Sequence, residues 1–100
     1  MTLEELRNRF FLGMGRRLSE LATELNTMAD AESLMRKFHS LAGIAGTYGY
    51  DGVTEISREC ELLCLTAMAE IRALTDDERG SLRAAVETLR SIVETSPAPA

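Results

Sequence analysis

A single histidine lies beside several glycines in a segment that otherwise has the pattern of a helix. His39 is the only histidine among the 100 residues, and Gly43, Gly46 and Gly49 follow it within ten positions. An imidazole suits nucleophilic and proton-transfer chemistry near neutral pH. Glycine inside a helix costs roughly 0.5 to 1 kcal/mol relative to alanine, so two glycines beside a histidine need a reason. Either a neighbouring helix packs closely against them, or a partner protein must bring a bulky group up to the imidazole.

Other reactive residue types do not add a second site. Cys60 and Cys64 lie four residues apart in one predicted helix, where their Cβ atoms are too far apart for a disulfide, and two thiols cannot complete a structural zinc site. We therefore interpret them as buried free thiols, and no metal site is expected. Ser40 points about 100° away from His39 on a helix, which argues against a catalytic triad. The glycines form no phosphate-binding loop, because no Lys-Ser or Lys-Thr follows them.

Composition narrows the class of partner. A chain with 45% hydrophobic and 27% charged residues has the profile of one folded domain, and it contains no long apolar run or signal-peptide core. These features predict a cytoplasmic protein. The net charge of −5 argues against nucleic acid or an anionic membrane as the main partner. A protein partner is the expectation that remains.

Hydrophobic spacing predicts an all-α fold, and the helices are expected to form an antiparallel up-down-up-down four-helix bundle. The first helix has a capping box at Thr2 and Glu5, and Gly13 and Gly15 predict a kink or break near its middle. Its expected buried stripe consists of Leu3, Leu6, Phe10, Met14, Leu18, Leu21, Leu25 and Met28.

The two central helices form the hairpin that carries the histidine. The second helix follows Asp30 as its N-cap and ends at Gly49, and the third begins near Asp51. The buried stripe of the second is expected to be Leu34, Phe38, Leu41, Ala45 and Tyr48. The buried stripe of the third is expected to be Val53, Ile56, Cys60, Leu63, Ala67, Ile71 and Leu74.

The last helix opens with a second capping box, Thr75 with Glu78, and ends before the prolines of the segment TSPAPA. Residues 1–95 are therefore predicted to form the bundle. Residues 96–100 are predicted to be a Pro/Ala tail that starts a linker to a further domain.

Counting from the central turn predicts a partner for the histidine. With the turn near residue 50, His39 lies level with Glu61 on the next helix, on the flank of the buried stripe. A carboxylate there could accept a hydrogen bond from Nδ1 and leave Nε2 as an exposed nucleophile. In the alternative interpretation, Glu61 pairs with Arg58 on its own helix. An exposed imidazole oriented by a carboxylate is suited to attack a phosphoryl group that another protein presents.

These residues resemble the histidine phosphotransfer (HPt) domain family of bacterial two-component phosphorelays. The resemblance rests on His39-Ser-Leu-Ala-Gly43, on Gly46-Thr-Tyr-Gly49-Tyr50 and on Glu59-Cys-Glu61. The chain departs from the family pattern at Ala42, where most members have a lysine that helps to hold the phosphoryl oxygens.

The resemblance implies that His39 is phosphorylated and that the chain is a carrier rather than an enzyme, with no ATP site and no cofactor of its own. Response-regulator receiver domains, which supply Mg²⁺, are the implied partners, and a histidine kinase is a further implied donor. Glu61 would orient the imidazole, and Arg36 would contact phosphate in place of the missing lysine. The expected docking surface consists of Ala42, Gly43, Ile44 and Gly46, with Arg16, Arg17, Arg36 and Lys37 as steering charges.

Two other functions stay open at this point. A degenerate HPt-like bundle would bind receivers without being phosphorylated, which the alanine at position 42 suggests. A dimerisation bundle would use the glycines for helix packing and bury His39. The carrier interpretation instead predicts a monomeric module.

Overall fold

The computed structural model describes residues 2–27 and 30–95, which form four α-helices and no strand. The helices are α1 (Leu3–Thr27), α2 (Ala31–Thr47), α3 (Asp51–Ala69) and α4 (Asp76–Thr95). They form an elongated body of 45 × 21 × 19 Å. An all-α fold of four helices is confirmed. The complete up-down-up-down order of the helices stays a prediction. The Pro/Ala tail also stays a prediction, because residues 96–100 lie outside the described part of the chain.

Side chains cap three of the helices where the sequence predicted them. The hydroxyl of Thr2 accepts from the amide of Glu5, and the carboxylate of Asp30 accepts from the amide of Ser33, both at 3.1 Å. At α4 the capping box is complete, because the Thr75 hydroxyl accepts from the Glu78 amide and the Glu78 carboxylate accepts from the Thr75 amide. These bonds satisfy amide groups that have no partner inside the helix.

The core contains buried side chains of all four helices and includes a group of stacked aromatic rings. Phe38, Leu41 and Leu89 are fully buried, and the ring of Phe10 stacks on that of Tyr48 with centroids 4.1 Å apart. α1 is one continuous helix from Leu3 to Thr27, so the predicted break near Gly13 and Gly15 does not occur, and a kink there stays a prediction. The predicted burial of the first turns of α1 is also wrong, since Leu3 and Leu6 are exposed; Met28 lies outside the described residues.

The end of α3 differs from the prediction. The helix stops at Ala69, and Ile71, which was predicted to be buried, is 92% exposed with a φ of 52°. Leu74 lies beyond the helix but is buried, as predicted.

The buried face of α3 also differs from the predicted one. Ser57 and Cys64 are buried, whereas Ile56 and Leu63, which were predicted to be buried, are only half-buried, so the buried face is rotated toward α2. α3 therefore presents a row of small side chains to α2.

The turn between α2 and α3 closes in the way that Gly49 predicts. Gly49 has a φ of 83°, the amide of Tyr50 donates to the carbonyl of Ala45, and the amide of Gly49 donates to the carbonyl of Gly46. These are the two hydrogen bonds of a Schellman motif, in which glycine takes the left-handed residue at no steric cost. α3 can therefore return directly along α2.

None of the four helices of the described residues is long and apolar enough to cross a membrane.

Candidate functional site

Three pairs of neighbouring residues show how α2 and α3 lie along each other. His39 contacts Glu61, the hydroxyl of Thr54 donates to the carbonyl of Ala42, and a Cβ added at Gly46 would lie 3.4 Å from Oγ1 of Thr54. As the residue numbers rise along α2, those of the contacting residues fall along α3. The two helices therefore run in opposite directions past this site, with residues 39–46 facing residues 54–61.

The imidazole of His39 is held at the surface by one carboxylate. Nδ1 lies 2.6 Å from Oε2 of Glu61, and the side chain of His39 is 70% exposed while that of Glu61 is 15% exposed. An ionised carboxylate can only accept a hydrogen bond, so Nδ1 carries the proton and the lone pair of a neutral ring is on Nε2. The contact that the count of residues predicted is confirmed, and the alternative pairing of Glu61 with Arg58 is not observed.

The glycines of α2 have different neighbours. At Gly46 a Cβ would come into van der Waals contact with Thr54, 3.4 Å from its Oγ1, so this glycine lies against α3. At Gly43 a Cβ would meet no atom within 4 Å, so internal packing does not explain it. Gly13, Gly15 and Gly80 are equally open, which means that open space alone indicates nothing. Gly43 differs from them because it lies one helical turn from His39.

Two of the four residues expected on the docking surface do not fit that role. Ala42 is 1% exposed, because it faces the seam in which Thr54 bonds to its carbonyl, so its side chain cannot be part of an exposed surface. Ile44 is half-buried against the core, and five residues of helix place it roughly 140° around α2 from His39. Gly43 and Gly46 are the members of that set that the structure leaves exposed beside the imidazole.

The cations expected near the site point elsewhere. Nη2 of Arg36 lies 2.6 Å from Oε1 of Glu32, one turn farther from His39, and Lys37 forms an ion pair with Glu24 of α1. Arg36 therefore has a carboxylate partner in this structure and does not contact the imidazole. Its predicted contact with phosphate, and the predicted steering by Arg16 and Arg17, stay predictions.

α3 adds residues to the site that were not predicted from the sequence. Thr54 packs against Gly46, Arg58 is exposed between Thr54 and Glu61, and the apolar side chains of Leu62 and Leu65 are exposed beside Glu61. The count from residue 50 that found Glu61 would also have placed Thr54 opposite Gly46. The sequence signal for this part of the site is therefore the same residue count that predicts the contact of His39 with Glu61.

Beneath the surface pair the seam contains side chains that do not react. Burial raises the pKa of the Cys60 thiol to about 12 and that of the Cys64 thiol to about 11, so both stay protonated and are poor nucleophiles. Both are free and buried, as predicted. The hydroxyl of Ser57 is fully buried and has no hydrogen-bond partner among the described residues. The described residues contain no cluster of His, Cys, Asp and Glu that could hold a metal ion.

A helical bundle whose reactive group is one exposed imidazole, held by a carboxylate of the next helix, defines the class of this protein. The family model described as "Hpt domain" matches residues 5–92, which is most of the chain and includes His39 and Glu61, so the chain belongs to the Hpt domain family. Membership implies a function related to phosphotransfer in phosphorelays. Comparisons with curated proteins and with solved structures found no match.

Proposed function

We propose that this domain is a phosphohistidine carrier that accepts a phosphoryl group on Nε2 of His39 and passes it to a receiver domain. The donor is the phosphoaspartate of another receiver or a histidine kinase domain. The observation that supports this function is the pair of His39 and Glu61, in which a carboxylate holds Nδ1 at 2.6 Å and the ring is 70% exposed. The proposal includes a monomeric, cytoplasmic, antiparallel bundle of the up-down-up-down order.

The proposed step is an in-line displacement at phosphorus. The lone pair of Nε2 attacks the phosphorus of the acyl phosphate, the bond from phosphorus to the aspartate oxygen breaks, and its electron pair leaves on the receiver's carboxylate. The proton on Nδ1 stays in its hydrogen bond to Glu61, and the carboxylate stabilises the positive charge that the ring acquires. Mg²⁺ of the receiver supplies electrostatic stabilisation, while the bundle supplies the nucleophile and its orientation.

The proposed docking surface consists of His39, Gly43 and Gly46 of α2 and of Leu62 and Leu65 of α3. Gly43 leaves room for the receiver to approach the ring. Leu62 and Leu65 are 64% and 40% exposed, and these apolar side chains next to a polar pair give the contact a hydrophobic component. This surface replaces the predicted one, because it exchanges Ala42 and Ile44 for residues of α3.

Incubation with a labelled phospho-receiver tests the proposal. We expect acid-labile, base-stable label on the wild-type domain and none on His39→Gln, with unchanged circular dichroism because the side chain is largely exposed. Glu61→Ala should slow the transfer without abolishing it, because the nucleophile remains but its orientation is lost. Label on His39→Gln equal to that on the wild type would contradict the proposed site.

A second candidate function is receiver binding without phosphorylation, and the observation that favours it is Ala42. Its buried methyl group provides no charge for a phosphoryl group. A wild-type domain that binds a receiver in titration calorimetry but takes up no label would support this candidate. Ala42→Lys is a less direct test, because a lysine would have to extend out of the tight seam, so its stability must be measured beside its transfer rate.

A dimerisation bundle is the third function that the sequence left open. It requires His39 to be covered in the dimer, whereas the ring is exposed in the single chain. Sedimentation equilibrium that shows a tight dimer would support it, and a monomer that transfers phosphate would exclude it.

A further inference from the structure

Phosphorylation would concentrate negative charge at one point of the seam. The phosphoryl group on Nε2 would add its charge to that of Glu61, which already lies 2.6 Å from the other ring nitrogen. Such an accumulation favours a cation that can donate hydrogen bonds to the phosphoryl oxygens, and arginine does so with the best geometry. The described residues of α2 provide no such group, since Arg36 is paired with Glu32 and Lys37 with Glu24.

The adjacent helix places one arginine at the level of the site. Arg58 lies four residues after Thr54 and three before Glu61, so all three lie on one side of α3. Thr54 contacts Gly46 and the carbonyl of Ala42, and Glu61 contacts His39. Arg58 therefore lies between two fixed contact points of the seam, about 4.5 Å along the axis from Glu61.

The guanidinium of Arg58 has no partner among the described residues that would have to be displaced. Arg58 is exposed and has no hydrogen bond or ion pair to any described residue. On its own helix, Glu59 is the next residue and points about 100° away, whereas Glu55 and Glu61, three positions away, lie on the same side as Arg58. Of these two, Glu61 is bonded to His39. Across the seam lies Gly43, where even a Cβ would meet open space. A long side chain can extend over this strip of α2 toward Nε2.

We infer that Arg58 binds the phosphoryl group, and that its guanidinium donates hydrogen bonds to the phosphoryl oxygens during transfer to and from His39. The inference rests on the proposed function. It gives the open space at Gly43 a second purpose, because a side chain there would stand between the arginine and the ring. The covalent step is the one proposed above: Nε2 forms the bond to phosphorus, and the aspartate oxygen leaves with its electron pair. Arg58 neither gains nor loses a proton in this step.

The test compares Arg58→Ala, Arg58→Lys and the wild type in transfer from a labelled phospho-receiver, with receiver concentration varied. We expect Arg58→Ala to reduce the rate at saturating receiver about tenfold, the size of one charge-assisted hydrogen bond, with little change in the half-saturating concentration. The half-life of the isolated phosphohistidine should also change. Arg58→Lys should recover part of the rate, because it keeps the charge and loses the planar fork.

Arg9→Ala is the matched control, since Arg9 is an exposed arginine of α1 outside the site and its removal changes the net charge equally. Raising the salt concentration separates a local contact from long-range steering, because steering is screened. A defect of Arg58→Ala that persists in high salt supports the inference. A defect that disappears in high salt, or one that Arg36→Ala or Arg9→Ala reproduces, would overturn it.

The outcomes separate this inference from the proposed function. If the wild-type domain is never labelled, the carrier function itself fails. If the wild type is labelled and Arg58→Ala transfers at the same rate with the same phosphohistidine half-life, only the role of Arg58 fails.

Discussion

Helices α2 and α3 end in the same backbone geometry with opposite kinds of residue. Gly49 after α2 has a φ of 83°, and Ile71 after α3 has a φ of 52°. In both turns the amide of the next residue donates to a carbonyl five positions earlier, from Tyr50 to Ala45 at 2.9 Å and from Arg72 to Ala67 at 3.1 Å. Glycine takes this conformation freely, whereas for a β-branched residue it is an outlier.

Different interactions hold the two turns. At the first, Tyr50 is buried and its ring packs against that of Phe10 with centroids 5.3 Å apart. At the second, the guanidinium of Arg72 donates to both carboxylate oxygens of Glu78, at 2.6 and 3.0 Å, and also to Glu70. The turn at Gly49 thus follows from the conformational preference of its own residue. The turn at Ile71 is stabilised by polar contacts, although isoleucine disfavours its conformation.

Removal of the glycine from the first turn should have the largest effect on stability. We expect Gly49→Val to lower the free energy of unfolding by about 1–2 kcal/mol, because valine must take a left-handed conformation. Urea denaturation followed by circular dichroism measures the change. Gly80→Ala is the control: that glycine is inside α4 with no neighbour within 4 Å, so alanine should raise stability by roughly 0.5–1 kcal/mol.

A loss of stability in Gly80→Ala as large as that in Gly49→Val would contradict this explanation. It would show that the chain tolerates no added methyl group, rather than that φ at position 49 requires glycine.

The reverse change at the second turn should have a smaller and opposite effect. We expect Ile71→Gly to raise the free energy of unfolding by about 0.5–1 kcal/mol, because the strain of isoleucine exceeds the entropy that glycine adds to the unfolded chain. The side chain is 92% exposed, so little packing is lost. The same urea titration measures it, with Ile71→Val as the control that keeps the β-branch and should leave stability unchanged. Destabilisation by Ile71→Gly would contradict the prediction, because it would show that the strain is smaller than the entropic cost of glycine.

The contrast between the turns explains how much of the fold was predictable. Gly49 gave a local signal, so the end of α2, the register of the hairpin and the contact of His39 with Glu61 all followed from the sequence. Ile71 gave the opposite signal, since an apolar residue at helical spacing extends the predicted stripe. The end of α3 depends on Arg72, Glu78 and the capping of α4, which no helical period encodes.

The same distinction applies to the site. His39 was recognisable because its residue type is chemically specific. The burial of Ala42 was not predictable. A residue on the flank of the buried stripe of α2 is exposed or buried according to how closely the next helix packs. At Ala42 the neighbour on α3 is Thr54, whose hydroxyl donates to the Ala42 carbonyl, and such a contact forms only when both helices are in place.

Acid should loosen the turn after α3 before it loosens the turn after α2. We expect this to be the smallest of the three effects, because the ion pair of Arg72 and Glu78 is partly exposed and solvent screens it. The hydrogen bonds from the Arg72 side chain, then from the Thr75 backbone, lower the pKa of Glu78 from an ordinary 4.5 to about 2. A carboxylate whose pKa is lower in the folded state contributes stability above the unfolded pKa and loses it as protons bind. The contribution is therefore complete above pH 4.5 and disappears as the pH falls from 4.5 to about 2. Amide hydrogen exchange should show that residues 71–75 loosen over this pH range before residues 48–52 do. Glu78→Gln should remove this difference between the turns. If both turns loosen together in the wild type, the ion pair does not hold the turn after α3.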